Sequence, residues 1–163
     1  MPQAHEEILT GSLDSLLTHD HRDIDDGIRV GLDGADGADL DGLTVALGAL
    51  RRHIYAEEEL LFPPLRDAGL VGPILVMVRE HAQMWQLLDS LEGLLGADTV
   101  DPDALRATRA ELFELLQRHN PKEETILYPQ ADAVLTPSRA SQVRAFIASE
   151  EPPEGWVCQG LRR

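Results

Sequence analysis

A seven-residue pattern occurs twice, 66 positions apart: Arg52-His53-Ile54-Tyr55-Ala56-Glu57-Glu58 and Arg118-His119-Asn120-Pro121-Lys122-Glu123-Glu124. Each copy reads His-x-x-x-Glu-Glu, follows a leucine-rich stretch, and runs into an aromatic-proline pair, Phe62-Pro63 or Tyr128-Pro129, expected to stop the helix. Residues four apart on an α-helix share a face, with Cβ atoms roughly 5–6 Å apart. His53 with Glu57, and His119 with Glu123, can therefore each offer a nitrogen and a carboxylate to one point. Two such helices facing each other make a metal site, with room for two metals.

The rest of the chain supplies the other walls. Apolar residues at alternating spacings of three and four mark four helices. The first begins near Ser12 as N-cap and carries Leu13, Leu17, His21, Ile24 and Ile28, ending in a Gly/Asp-rich stretch over 31–42. The second starts near Asp39 or Asp41, carries Leu43, Ala46, Leu50, His53, Glu57 and Leu60, and stops by Gly69. The third opens at Gly72-Pro73 and carries Ile74, Met77, His81, Met84, Leu88, Leu91 and Leu95. The fourth opens at Asp101-Pro102 and carries Leu105, Leu112, Leu116, His119, Glu123 and Ile126. A shorter helix is expected from Thr136-Pro137 to about Ser149, with an irregular acidic, proline-containing tail beyond it. Helices of this length joined by short loops specify an all-α, antiparallel four-helix bundle. The domain plan is a tail over 1–11, the bundle over 12–135, and the short helix and tail over 136–163.

Each helix thus places one histidine on its apolar seam: His21, His53, His81 and His119. His21 aligns with Leu17 and Ile24, whereas His19 falls with Ser12, Ser15, Asp23 and Asp26 on the wet face. A carboxylate taken into a bundle core costs several kcal/mol unless paired. Glu57 and Glu123 share a layer with four imidazoles, and no arginine or lysine occupies a matching seam position. Two cations would neutralise both acids and satisfy the imidazole lone pairs. Imidazole and carboxylate without thiolate suit iron first, then manganese, then zinc. Glu-x-x-His, the pairing of ferritin-type di-iron bundles, precedes none of the six histidines.

Composition removes other classes. A formal net charge of −15 repels phosphate backbones and anionic lipid, so neither nucleic acid nor membrane is expected as a partner. No apolar run approaches the roughly 20 residues of a transmembrane helix, and the N-terminal residues lack a secretory pattern. The single cysteine, Cys158, excludes an intrachain disulfide and a cysteine-rich metal site. A cytoplasmic protein is expected. The acidic run over 33–42 has its acids mostly three apart and no closing glutamate, so it reads as an interhelical loop and not a calcium loop.

Over residues 12–132 the chain resembles the hemerythrin-like, HHE cation-binding proteins. The resemblance rests on Asp20-His21, on His53-x-x-x-Glu57-Glu58 with Leu61-Phe62-Pro63, on Glu80-His81, and on His119-x-x-x-Glu123-Glu124 with Leu127-Tyr128-Pro129. It implies an up-down-up-down bundle around a non-haem di-iron centre. His21 and His53 would hold one iron and His81 and His119 the other. Glu57 and the acid of the fourth helix would bridge beside an oxo or hydroxo group. Two departures from the oxygen carriers stand out. Trp85 occupies the place of their extra third-helix histidine, leaving one iron short of a ligand. Their fourth-helix acid lies five residues after the histidine, whereas here Glu123 lies at four and Glu124 at five. A regular helix favours Glu123, but Pro121 disturbs the hydrogen bond toward Gln117 and leaves room for a bulge that would turn Glu124 inward. Glu58 and Glu124 are otherwise expected as surface groups or as carboxylates that orient the neighbouring imidazoles. The implied chemistry is binding or reduction of a small oxidant (O2, H2O2 or NO). The alternative is an iron-handling, iron-sensing or iron-sulfur-cluster-repair module without turnover of its own, whose protein partner the residues do not identify.

Overall fold

The computed structural model describes residues 11–29 and 40–162, and among these the regular structure is entirely helical. The helices are α1 (Leu13–Arg29), α2 (Leu40–Ala56), α3 (Phe62–Asp67), α4 (Val71–Leu95), α5 (Pro102–Lys122), α6 (Tyr128–Val134) and α7 (Pro137–Ser149), with a 3-10 turn at Gln159–Leu161. His5 and residues 33–39 of the acidic run lie outside the described residues.

The expected punctuation operates locally. The Ser12 hydroxyl accepts from the Ser15 N–H at 3.1 Å. Asp101 accepts from the N–H groups of Asp103 and Ala104, and Thr136 from that of Arg139, each relieving an orphan donor of a helix start. At the end of α3, Gly69 adopts φ +104°, a left-handed conformation in which a Cβ would strain the backbone. The Leu70 N–H then reaches back to the Leu65 carbonyl at 3.1 Å and closes the helix. One cap is tertiary: Asp132 of α6 accepts from the Leu13 N–H at 2.9 Å, tying the last turns of one long rod to the first turn of α1.

The aromatic-proline pairs do not stop the helices. Between α2 and α3, and again between α5 and α6, the rod continues through a π-helical turn, Glu57–Leu61 in the first case and Glu123–Leu127 in the second. The two turns are 66 residues apart (123 − 57), the spacing of the sequence repeat. The Phe62 N–H bonds the Glu57 carbonyl and the Tyr128 N–H bonds the Glu123 carbonyl, five residues back in both cases. Proline explains the widening. Pro63 and Pro129 have no N–H to give, and each ring crowds the carbonyl four residues earlier, which opens the turn. Pro121 is absorbed within α5 without a break.

The long rods contact in a closed circuit, α1 with α2, α2 with α4, α4 with α5, and α5 with α1. Their apolar seams bury two clusters. One holds Leu13, Leu17, Leu61, Phe62, Met77, Leu127 and Tyr128, with α7 packed on through Val143, Phe146 and Ile147. The other holds Ile24, Ile28, Leu47, Leu50, Met84, Leu88, Leu112 and Leu116. Each buried leucine-sized side chain contributes about 1.5–3 kcal/mol. The second seam is not free of cations. Arg109 is 2 % exposed and donates to the carbonyls of Gly27 and Ile28 in the last turn of α1.

The C-terminal tail is docked. Trp156 packs edge-on against Trp85 and Tyr55, with centroids 5.3 Å and 4.9 Å apart. Its indole N–H donates to Glu59 at 3.0 Å. Gly160 lies so close to α4 that a Cβ would meet Ala82 Cβ at 2.8 Å and the Val78 carbonyl oxygen at 2.9 Å, so only glycine lets the tail approach this closely.

Candidate metal centre

Between the two apolar clusters lies a polar layer contributed by all four rods. His21 comes from α1, His53 from α2, His81 from α4 and His119 from α5, while Glu57 and Glu123 open the two π turns. All six are at most 3 % exposed. Donor atoms of His21, His53, Glu57 and Glu123 lie within 4.8 Å of one another, as do those of Glu57, His81, His119 and Glu123. The structure thus brings together every side chain of the expected set, and both quartets include both carboxylates. The inward acid of the second π turn is Glu123. Glu124 instead faces the back of His21.

Each imidazole is held from behind by a carboxylate. His21 Nδ1 pairs with Glu124 at 3.1 Å, His53 with Asp20 at 2.7 Å, His81 with Glu58 at 2.9 Å and His119 with Glu80 at 2.7 Å. An Nδ1–H donated to a carboxylate leaves Nε2 with a lone pair aimed inward and makes that nitrogen more basic. Asp20 and Glu80 were legible only as repeated acid-histidine dipeptides. Each serves the histidine of a neighbouring helix and not the one beside it, a relation invisible without packing. The expected second role of Glu58 holds, and Glu58 also accepts from the Gln159 N–H at 2.7 Å, so the docked tail secures it.

Tyr128 is one site residue that sequence reasoning missed. Its hydroxyl donates to Glu57 Oε1 at 2.5 Å and lies 2.9 Å from both His53 Nε2 and His21 Nε2. The position was visible only as the aromatic of the presumed helix stop. Lys122 was also missed, and its ammonium pairs with Glu80 at the edge of the layer. The Trp85 ring, at the place of the carriers' extra histidine, turns toward Trp156 and lies under the Arg51 guanidinium at 4.2 Å.

The layer has too few hydrogens for its acceptors. With the Nδ1 protons committed to carboxylates, four Nε2 atoms and the inner oxygens of Glu57 and Glu123 share one O–H, that of Tyr128. His81 Nε2, Glu57 Oε2 and both oxygens of Glu123 make no hydrogen bond although they are buried. His81 Nε2 and Glu57 Oε2 face each other at 3.1 Å, and His119 Nε2 and Glu123 Oε1 are closer still. Buried acceptors converging without donors are costly. Cations satisfy them all, so the donor set fits metal.

The same imbalance sets the protonation of the metal-free layer. Burial disfavours charge on His53, yet Glu57 and Asp20 hold its pKa well above the ordinary imidazole value. His81 is raised likewise against burial by Glu123, Glu57 and Glu58, and His119 by Glu123 and Glu80. Glu123 falls well below the usual carboxylate range, His119 and its neighbours outweighing burial. Burial and then the Glu123 and Glu57 carboxylates push the Tyr128 phenol up. Glu80, opposed by burial, is drawn down to about 2 by His119 and Lys122. Cys158 is buried, and burial followed by Glu58 raises its thiol to about 11, which leaves it an inert thiol at neutral pH.

Comparison with known proteins agrees with this chemistry. The family model for the hemerythrin HHE cation binding domain matches residues 12–131. The iron-sulfur cluster repair protein YtfE of Escherichia coli O81 (strain ED1a) is 32% identical over 98 residues, covering 55% of this chain and 44% of that protein. The proteins of the same name from Escherichia coli O1:K1 / APEC and Escherichia fergusonii are each 31% identical over 98 residues with the same coverage. The chain therefore spans less than half the length of these curated relatives. No solved structure matches it.

Proposed function

Because the chain belongs to the hemerythrin HHE cation-binding family, we propose that it is a di-iron protein which binds or reduces a small oxidant, O2, H2O2 or NO. His21 and His53 would hold one iron and His81 and His119 the other, with Glu57 and Glu123 shared between them. Sharing of both carboxylates by the two quartets carries this reading, since two separate single-metal sites would not share them. An up-down-up-down course of the four rods belongs to the same reading. Running from N- to C-terminus, α1 and α4 pass from the first apolar cluster to the second, and α2 and α5, continued through their π turns, pass back, which supports it. Manganese or zinc would fit the same donors, and the nitrogen and oxygen set without thiolate favours iron.

Bound iron supplies a Lewis-acidic, redox-active pair with positions left for an outside ligand. The chain does the rest. Asp20, Glu58, Glu80 and Glu124 hold the imidazoles in one tautomer and aim Nε2 inward. The apolar clusters on either side exclude water. An apolar groove of about 280 Å³ opens beside Gly72, Val76, Met77, Lys122, Ile126 and Leu127. Met77 and Leu127 each lie four residues from a residue of the layer, His81 and Glu123, so the groove suits entry of a small uncharged molecule. No helix among the described residues is long and apolar enough to cross a membrane. The acidic surface disfavours nucleic acid, and a cytoplasmic setting fits both features.

Purified chain with two irons should change its iron charge-transfer absorption on adding O2, peroxide or nitric oxide. A spectrum indifferent to all three would refute oxidant chemistry. The second reading is iron delivery to damaged iron-sulfur clusters, motivated by what the YtfE relatives are named for. It predicts transfer of iron to an apo iron-sulfur protein with no turnover of oxidant.

A further inference from the structure

The two halves of the centre correspond residue for residue except at one place. Asp20 and Glu80, His21 and His81, His53 and His119, Glu57 and Glu123, and Glu58 and Glu124 play matching parts, but the counterpart of Phe62 is Tyr128. Phe62 lies flat on the His81 ring, centroids 5.7 Å apart and planes 10° from parallel. Tyr128 lies on His21 at 5.3 Å and 33°. One half thus owns a fully buried oxygen that the other lacks.

Resting on the two-metal reading above, we propose that Tyr128 is an oxygen ligand of the metal held by His21 and His53, which makes the two metal positions chemically different. The first argument is hydrogen supply. With both imidazoles neutral, as metal ligands must be, the phenol carries one hydrogen and faces three acceptors, Glu57 Oε1 at 2.5 Å and the Nε2 atoms of His21 and His53 at 2.9 Å each. It can satisfy one of them. A cation satisfies both imidazoles, the carboxylate and the phenol oxygen together. The second argument is spacing. Neighbouring donors around an ion with bonds of about 2.1 Å are about 3 Å apart, the separation found between this oxygen and both ring nitrogens.

On metal binding the phenol O–H breaks, the oxygen–metal bond forms, a water leaves the ion and the proton passes to solvent. No electron moves. A phenolate beside two carboxylates concentrates negative charge and hard oxygen on the His21/His53 position, which suits iron(III). Phe62 gives the His81/His119 position no such donor. That position would keep fewer protein donors than the other.

The test uses the full chain loaded with iron and oxidised, read by elemental analysis, visible absorption and resonance Raman scattering excited in the visible band. Two irons per chain with a phenolate-to-iron(III) band and tyrosinate ring modes are expected. Tyr128→Phe should keep iron and lose both signals, and Phe62 shows that the fold accepts phenylalanine at the matching place. Should that variant not fold, Tyr55→Phe decides. The chain has two tyrosines, and Tyr55 stacks on Phe146 outside the layer, so the ring modes should persist. Two irons without tyrosinate modes, or modes that survive Tyr128→Phe or vanish in Tyr55→Phe, would overturn Tyr128 ligation and leave the two-metal reading standing. A chain that holds no iron overturns both.

Discussion

Glu80 sets the scale at which single residues act in this protein. It accepts from His119, pairs with Lys122 and never reaches the middle of the layer. Removing a carboxylate that orients a metal-bound imidazole lowers metal affinity by roughly 10–100-fold. Glu80→Ala should therefore bind iron that much more weakly in competition with a chelator, whereas Glu111→Ala, on the exposed face of α5, should not differ from the parent chain. Equal affinities for the two variants would remove the orienting role. Seam periodicity pointed to the four histidines and Glu57, and favoured Glu123 while a bulge at Pro121 left Glu124 open. The carboxylates behind them were not identifiable that way, because Asp20 and Glu80 act across helix interfaces and pair with histidines 33 and 39 residues away.

Helix regularity is given up twice, and the cost is placed where the site needs it. In a regular helix consecutive residues point about 100° apart, so Glu57 and Glu58 would not both face inward. The π turn allows both to be buried, Glu57 toward the layer and Glu58 behind His81. Proline creates that turn, at a typical cost of about 3 kcal/mol relative to alanine inside a helix. Pro129→Ala should restore a regular helix through Tyr128. Calorimetry should then show a higher melting temperature for the metal-free chain, and chelator competition at least tenfold weaker iron binding. A variant that is stabilised with unchanged affinity would separate the π turn from the site. Proline in the sequence suggested helix stops. Tertiary packing on both flanks kept the rods continuous and turned each proline into a local widening.

Across the whole molecule, proton and metal compete for one layer, and stability should depend on pH in opposite senses with and without metal. In the metal-free chain His53, His81 and His119 are raised above the ordinary value of about 6.5. A raised histidine contributes stability that is fully present below that value and is lost as pH rises through the folded-state pKa. Glu80, held at about 2, contributes stability lost only as pH falls from about 4.5 toward that value. The metal-free chain should thus melt at a lower temperature at about pH 9 than at about pH 6. The iron-loaded chain should do the reverse, because imidazoles bind metal only when deprotonated. Parallel profiles would contradict the exchange of protons for cations. The tail belongs to this scale as well. Trp156→Ala should cost about 2 kcal/mol, less than the roughly 3–5 of a fully buried aromatic, and should loosen Gln159 from Glu58, seen as weaker iron retention.

Local rules were sufficient for the helix starts, the seams, the four histidines and Glu57, while the choice between Glu123 and Glu124 waited on the backbone of the second π turn. Capping chemistry and 3.6-residue periodicity act within a few residues, and a histidine and an acid four apart share one face of any helix. The carboxylates behind the imidazoles, the docking of the tail on Glu58, Arg109 closing α1 and the phenol of Tyr128 inside the layer came from tertiary structure alone. Each depends on which side chains meet across helix interfaces, and distances of that kind are set by packing, not by spacing along the chain.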